Sequence, residues 1–196
     1  MAFGVVVLVM HQALLLLQFE SAARHDPVTG LYNAGFWHEM AGKALQRAGA
    51  QHTTVGVLLI HLDRFTGLTS PHGPTVGDGV LRRVAETLRS NVRKHDLLGR
   101  LPAEDFAVLL PDTTAADLAN VAERIRLAIR ALAIEIDGPD NAPTTIRGLT
   151  ASIGGAIYPD HADTVRGLML AADNNVIAAQ THLGDQAQFP RTTTGE

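Results

Sequence analysis

The most constraining feature of this chain is the short apolar run Val-Gly-Val-Leu-Leu-Ile at 55–60, inside TTVGVLLIHLD at 53–63. Val55, Val57, Leu58, Leu59 and Ile60 follow one another with no polar residue between them. A half-exposed strand alternates with period 2, and an amphipathic helix repeats every 3.6 residues. A short, continuous, β-branched run does neither, so it reads as a strand buried on both faces. Such a strand needs a layer above it and a layer below it.

The rest of the chain supplies those layers. Asp26–Pro27 breaks any preceding helix, because the residue before proline avoids helical backbone. Thr29–Gly30 continues the turn. Asn33 then caps a helix over about 34–49, with Phe36, Trp37, Met40 and Leu45 as its apolar face and Gly49 ending it. After a Gly/Pro/Ser/Thr-rich connection from Thr66 to Thr75, Val76, Val80, Leu81, Val84, Leu88 and Val92 recur at helical spacing over about 76–94. LLGRL and FAVLLP read as two strands joined across Pro102-Ala103-Glu104-Asp105. Thr114 and Asp117 form a capping pair for a helix over about 115–134, whose face is Leu118, Val121, Ile125 and Ile129. IRGLTASIGGAIY at 146–158 reads as one strand, 163–182 as the last helix, and 186–189 as a short closing strand. The fold expected is α/β, a central mixed β-sheet of about five strands flanked by helices, with a hairpin at its middle.

Composition narrows the function. Lys+Arg number 16 and Asp+Glu 20, a net charge of −4, so nucleic acid is not an expected partner. The absence of cysteine excludes disulfides, zinc-thiolate sites and cysteine nucleophiles. The nine histidines show no paired metal-binding spacing. Gly42–Lys43 lacks the first glycine of a phosphate-binding loop, Gly77-Asp78-Gly79 is no dinucleotide fingerprint, and Ser152 lies in no nucleophile elbow.

The amino terminus stands apart. Residues 2–18 are almost all apolar, interrupted by His11 and Gln12, and the first basic residue is Arg24. As a helix this stretch is at the short end of what spans a bilayer. Two readings stand: a membrane segment that tethers the remaining chain to the cytoplasmic face, or an apolar helix packing on a partner or a sister chain. The division expected is 1–25 as this helix, 26–190 as the domain and 191–196 as a loose tail.

Four groups of residues carry a family resemblance. They are HDPVTGLYN at 25–33; LLIHLDRF at 58–65 with VGDGVLRRVAETLR at 76–89; RKHDLLGRLPAEDFAVLLP at 93–111; and TASIGGAIYP at 150–159 with AADNNVIAAQ at 171–180. In this order and spacing the chain resembles the GGDEF domain of diguanylate cyclases, which condense two GTP into cyclic di-GMP. The signature differs. Where the family has Gly-Gly-Asp/Glu-Glu-Phe, this chain has Pro102-Ala103-Glu104-Asp105-Phe106. Pro102 has no N–H, and Ala103 adds a methyl where the family's backbone approaches nucleotide. The resemblance implies that Glu104 keeps one metal carboxylate, while His61 stands where the second would be. A neutral imidazole is a poor ligand for magnesium, which takes hard oxygen donors. His61 is instead expected to be a sheet-edge histidine that hydrogen-bonds locally.

Other matched positions follow the same direction. Asp63 is retained and reads as structural. Thr66 stands where a phosphate-contacting Lys is usual, and Thr69 where an Asn reads guanine. Asp78 is retained, either to meet a guanine edge or to cap the following helix. Gln180 replaces a Lys, and Asp185 stands in place of an Arg and adds a repelling charge. Charged contacts to a transferring phosphoryl group are worth a few kcal/mol each, so the resemblance implies a silent cyclase: GTP binding is doubtful, no cofactor is expected, and Mg²⁺ enters only if cyclase activity remains. One feature is intact. Arg93 and Asp96 form the Arg-x-x-Asp pair that in the family binds cyclic di-GMP as inhibitor, and Arg124 stands where a further Arg completes that site. The leading expectation is a cyclic di-GMP-responsive signalling module, with homodimerisation through bound ligand. The alternatives are an interaction module without nucleotide binding and a weakly active cyclase.

Overall fold

The computed structural model describes residues 24–137, 143–181 and 183–190. The apolar stretch 2–18 and the tail 191–196 lie outside the described residues. No helix among the described residues is long and apolar enough to cross a membrane.

The run at 55–60 is the middle of strand β2, Val55–Asp63, and it is buried from Val55 to Ile60. It pairs antiparallel with β4, Asp105–Pro111, on one side and with β7, Thr150–Tyr158, on the other. Strand β3, Leu97–Arg100, extends the sheet beyond β4. Two-residue strands close the edges in parallel: β1, Tyr32–Asn33, on β3, and β8, Ala187–Gln188, on β7. The sheet is therefore mixed, with six strands in the order β1-β3-β4-β2-β7-β8. A separate two-stranded ribbon pairs β5, Ile134–Asp137, with β6, Pro143–Ile146.

Side chains of β2 divide between two cores. Leu58, Ile60 and Leu62 face helices α3, Pro74–Asn91, and α4, Ala115–Arg130. Val55, Val57 and Leu59 face helices α1, Ala34–Gln51, and α5, Val165–Thr181. This is the two-layer burial that the unbroken apolar run required. The expected faces of α3 and α4 form, with Val76, Val80, Leu81, Val84 and Leu88 buried on one and Leu118, Ile125 and Ile129 on the other. Asn33 caps α1 by accepting from Phe36 N at 2.9 Å, and Thr114 caps α4 by accepting from Asp117 N at 3.1 Å.

Several boundaries differ from the sequence reading. Gly49 does not end α1, which runs on to Gln51 and stops at His52 in the left-handed region, φ 54°. Part of the connection Thr66–Thr75 is ordered, as a short helix α2, Phe65–Thr69, and a 3-10 turn, Ser70–His72. α3 begins at Pro74, whose fixed φ and missing N–H suit a first helical turn. α4 ends at Arg130, because the alternating Ile-Glu-Ile that follows belongs to β5. The expected single strand 146–158 is two: Gly148, at φ 76°, turns the chain between β6 and β7. The two-residue β1 is too short for any periodicity to announce.

The close approach of β7 to α5 depends on one missing side chain. A Cβ on Gly154 would lie 2.0 Å from Ala172 O and 2.6 Å from Val176 N, both backbone atoms of α5. Neither can yield without moving the helix. Gly154→Ala is expected to lower the unfolding free energy by about 3 kcal/mol or more, at the upper end of overpacking costs. Urea denaturation followed by circular dichroism checks this, and a loss below about 1 kcal/mol would contradict the packing described.

Candidate functional site

The polar side chains gather where the sheet's central strands end. β2 carries His61 opposite Asp105 on β4 and Ser152 on β7. His61 is thus at the end of the central strand and not at a sheet edge, which corrects the sequence expectation. The local hydrogen bond expected of it is present: His61 Nδ1 lies 2.7 Å from Asp105 Oδ1. That hydrogen bond pushes the His61 imidazole above its ordinary pKa. The charges of Asp105, Glu104 and Asp63 act in the same sense, and burial opposes them.

The β3–β4 turn is held by Arg100. Its Nη1 donates to Leu101 O at 2.9 Å and Asp105 O at 2.8 Å, and its Nη2 donates to Ala103 O. Its guanidinium also lies 4.8 Å from the centre of the Phe106 ring. Burial draws the Arg100 pKa below its ordinary value, while Asp26, Asp105, Glu104 and Asp78 support the charge. Pro102 and Ala103 are exposed at the tip, Glu104 and Asp105 half-buried, and Phe106 fully buried. Ala103 has φ 59°, a left-handed conformation that glycine adopts freely and a Cβ resists.

Two residues beyond His61, Asp63 has a structural environment. Its carboxylate accepts from Thr150 Oγ1 at 2.8 Å, Ser152 Oγ at 2.7 Å and Asp185 N at 3.0 Å. Asp185 in turn accepts from Arg126 Nη1 at 2.6 Å and Arg130 Nη1 at 2.9 Å. Its charge is therefore compensated by two guanidinium groups of α4. Arg126 also bonds Glu123, and that hydrogen bond, together with Asp185, raises the Arg126 pKa against burial. Gln180 is exposed near the end of α5, and Thr66 is exposed on α2.

A cavity of about 390 Å³ opens between α2 and α3, and Phe65, Thr69 and Asp78 are among its lining residues. Thr69 is buried and donates through Oγ1 to Phe65 O at 2.9 Å. Asp78 lies inside α3, whose N-cap is Gly73, so it does not cap that helix.

Arg93, Asp96 and Arg124 sit away from the His61 end of β2. Arg93 N donates to Asp96 Oδ2 at 2.7 Å, and Asp96 N donates to Arg93 O at 3.1 Å. Arg124 Nη2 donates to Asn91 O at 2.7 Å, which brings α4 to the end of α3, two residues before Arg93. The Asp96 side chain is 1% exposed. Its Oδ1 has no hydrogen-bond partner. His95 Nε2 stands 3.9 Å away, beyond hydrogen-bond reach.

A family model described as "Diguanylate cyclase, GGDEF domain" matches residues 23–186. The chain belongs to the GGDEF domain family. It is 37% identical over 152 residues to the diguanylate cyclase TpbB of Pseudomonas aeruginosa, covering 77% of this chain and 34% of that protein. It is 34% identical over 161 residues to the response regulator PleD of Caulobacter vibrioides, covering 79% of this chain and 33% of that protein. The chain thus spans about a third of the length of these curated relatives. The solved GGDEF domain of TpbB superposes with a TM-score of 0.76 at 32% identity, over 85% of this chain and 94% of that one. The coiled coil and GGDEF domain of DgcB from Caulobacter crescentus, a complex with c-di-GMP, has a TM-score of 0.84 at 22% identity. It covers 94% of this chain and 95% of that one, a likeness of fold.

Within the GGDEF fold, the donor set at the ends of β2 and β4 does not fit a pair of magnesium ions. Magnesium asks for oxygen ligands in near-octahedral array. Here an imidazole occupies one strand end and is already bonded to one of the two turn carboxylates. Among the described residues, no three His, Asp or Glu side chains converge to hold a metal. Arg100, Arg126 and Arg130 were not anticipated from the sequence. Arg126 and Arg130 are four apart on α4, a spacing that puts both on one face, but nothing local says that the face meets residue 185.

Two outcomes follow for this site. His61 in the full chain is expected to titrate above its ordinary value of 6.5, and Asp105→Asn is expected to lower that pKa. Because the folded value is raised, the stabilisation is complete below 6.5 and is lost as pH rises through the folded-state pKa. Histidine NMR titration and denaturation across that window measure both, and a normal His61 pKa would remove the claim. Ala103→Gly should stabilise the domain by roughly 0.5–1 kcal/mol, since relief of the left-handed alanine outweighs the flexibility glycine adds to the unfolded chain. A loss of stability would mean that the turn does not hold Ala103 at positive φ.

Proposed function

We propose that this chain is a catalytically silent GGDEF domain that responds to cyclic di-GMP through Arg93, Asp96 and Arg124. The observation that carries the reading is Asp96 Oδ1, an acceptor buried without a donor. A buried acceptor left unpaired costs free energy that a ligand N–H recovers. The other oxygen, Oδ2, is already used to hold Arg93 N, so the carboxylate is fixed in direction before any ligand arrives. His95, whose Nε2 stands 3.9 Å from Oδ1, has a side chain 64% exposed, and an exposed ring changes rotamer readily. Guanine N1–H and N2–H are donors matched to a carboxylate, and guanidinium groups match phosphate oxygens or the guanine O6/N7 edge. Arg93 is exposed, and Arg124 is held by one backbone carbonyl, which leaves further donors for a ligand.

Silence at the other site rests on chemistry. Phosphoryl transfer depends on charge placed where negative charge develops. His61 replaces an anchoring carboxylate, Gln180 and Thr66 replace cations, and Pro102 removes a backbone donor. Glu104 remains as the one metal-type carboxylate of the family pattern. In this reading GTP is not turned over, and the ligand-binding loop can join two domains or report to whatever residues 1–23 attach to.

Calorimetry on the full chain tests both halves. Cyclic di-GMP is expected to bind, and Asp96→Asn and Arg93→Ala are each expected to weaken it roughly 10- to 100-fold, the range for a hydrogen bond to a charged group. No cyclic di-GMP should form from GTP with Mg²⁺. Heat-silent titration with a parent-like Arg93→Ala would remove ligand sensing, and product above a no-enzyme control would remove catalytic silence.

A further inference from the structure

Helix α5 has two apolar faces and buries one of them. Val165, Leu168, Ala172 and Val176 enter the core beneath the sheet. Leu170 and Ile177 point away from it, 62% and 51% exposed. They stand two turns apart, so they lie on one face of the helix. Asp173 and Asn174 sit between them, also exposed, and neither makes a hydrogen bond or ion pair among the described residues. Single apolar residues scattered over a surface are ordinary. An aligned pair with a carboxylate and an amide at its centre is a pattern that another helix can match.

Read along the helix, this face is Leu170, Asp173, Asn174, Ile177, and the order is its own complement. A second α5 laid antiparallel, with the two-fold axis between residues 173 and 174, meets it residue for residue. Leu170 packs on Ile177 of the second copy, and Asp173 faces Asn174 of the second copy, each contact occurring twice. The Asn174 amide donates and the Asp173 carboxylate accepts, which makes a charge-assisted pair. Parallel pairing would set Asp173 against Asp173 and leave the amide without its acceptor. The ends of the helix agree with the antiparallel sense. Arg166 stands in the first turn of α5, where the helix dipole opposes a cation, and the last turn carries no basic residue. In the antiparallel pair Arg166 comes beside the Thr181 turn of the second copy, where the dipole favours it.

We infer that the outer face of α5 is a self-association surface, on which a second copy of this chain docks antiparallel through Leu170, Asp173, Asn174 and Ile177. Two turns of helix bury less than the roughly 800 Å² per partner of a standard complex, so the contact is weak and reversible. It needs no nucleotide and shares no residue with Arg93, Asp96 and Arg124, so it stands or falls apart from the ligand proposed for them.

The chain has no cysteine, so a single introduced thiol reports alone. Full-length Leu170→Cys and ¹⁵N-labelled Ile177→Cys are mixed without nucleotide and oxidised mildly, and mass spectrometry separates mixed from like disulfide pairs. The mixed pair should exceed each like pair well beyond the statistical ratio. Asn174→Asp, introduced into both variants, sets carboxylate against carboxylate and should cut the mixed pair about tenfold, the loss of a hydrogen bond to a charged group. Adding Asp173→Asn exchanges the two roles and should restore it. All four positions are exposed, and circular dichroism of each variant checks that the fold is kept. Association through residues 2–18 alone gives no preference for the mixed pair. Pairing at the statistical ratio would therefore overturn the inference. So would a mixed pair untouched by Asn174→Asp, or one that the exchanged variant fails to restore.

Discussion

Pairing of β2 on both of its edges is the constraint from which the rest of the molecule follows. A central strand with helices on both faces has no solvent-facing side, so every residue from Val55 to Ile60 is buried. Polar side chains are admitted only where the strand runs out, at His61 and Asp63. Register then fixes their neighbours. His61 meets Asp105 and Ser152, and Asp63 meets Thr150, because a slip of one residue would turn Leu58 and Ile60 toward the opposite core. The site is placed by burial of the apolar run, not by attraction among the polar groups that form it.

The charges at this end of the sheet are paired within the protein. His61 puts a group able to carry positive charge beside Asp105, so the carboxylate of the turn has a partner within the protein. Asp185 brings a negative charge to the segment after α5, and Arg126 and Arg130 meet it from α4. Its backbone N–H serves Asp63 at the same time. Ion pairs at partly exposed positions contribute little to stability. Their consequence here is positional: the end of α5 is tied to α4 and to the end of β2 through one residue.

Legibility in the sequence followed the range of the forces involved. β2, α3 and α4 could be read because burial imposes a pattern on neighbouring residues, and the face Val76, Val80, Leu81, Val84, Leu88 carries the helical period openly. Short elements could not be read. The two residues of β1 form through pairing with β3, and the four-residue strands β5 and β6 through pairing with each other, so each depends on a partner strand more than on its own pattern. The site divided in the same way. The identities of His61, Ala103 and Asp185 stood in the chain, but the partners of Asp185 lie 55 and 59 positions away, and the clamp of Arg100 forms only once the β3–β4 turn has brought its carbonyls round. The positive φ of Ala103 also had no local cue, since alanine is an unfavoured residue for that conformation.

In the loop of Arg93 and Asp96 one carboxylate oxygen is used by the fold and the other is left without a partner. Oδ2 of Asp96 accepts from Arg93 N and closes the turn that carries the chain from α3 into β3, a need that exists whether or not a ligand binds. An asparagine could close that turn as well through its carbonyl oxygen. What the fold does not require is the second carboxylate oxygen, buried and unpaired at Oδ1. A residue retained only for the turn would leave that atom to solvent or supply it with a donor. The position of Oδ1 is therefore a charge and an acceptor in excess of what the backbone uses, beside an exposed arginine and one helix away from a second.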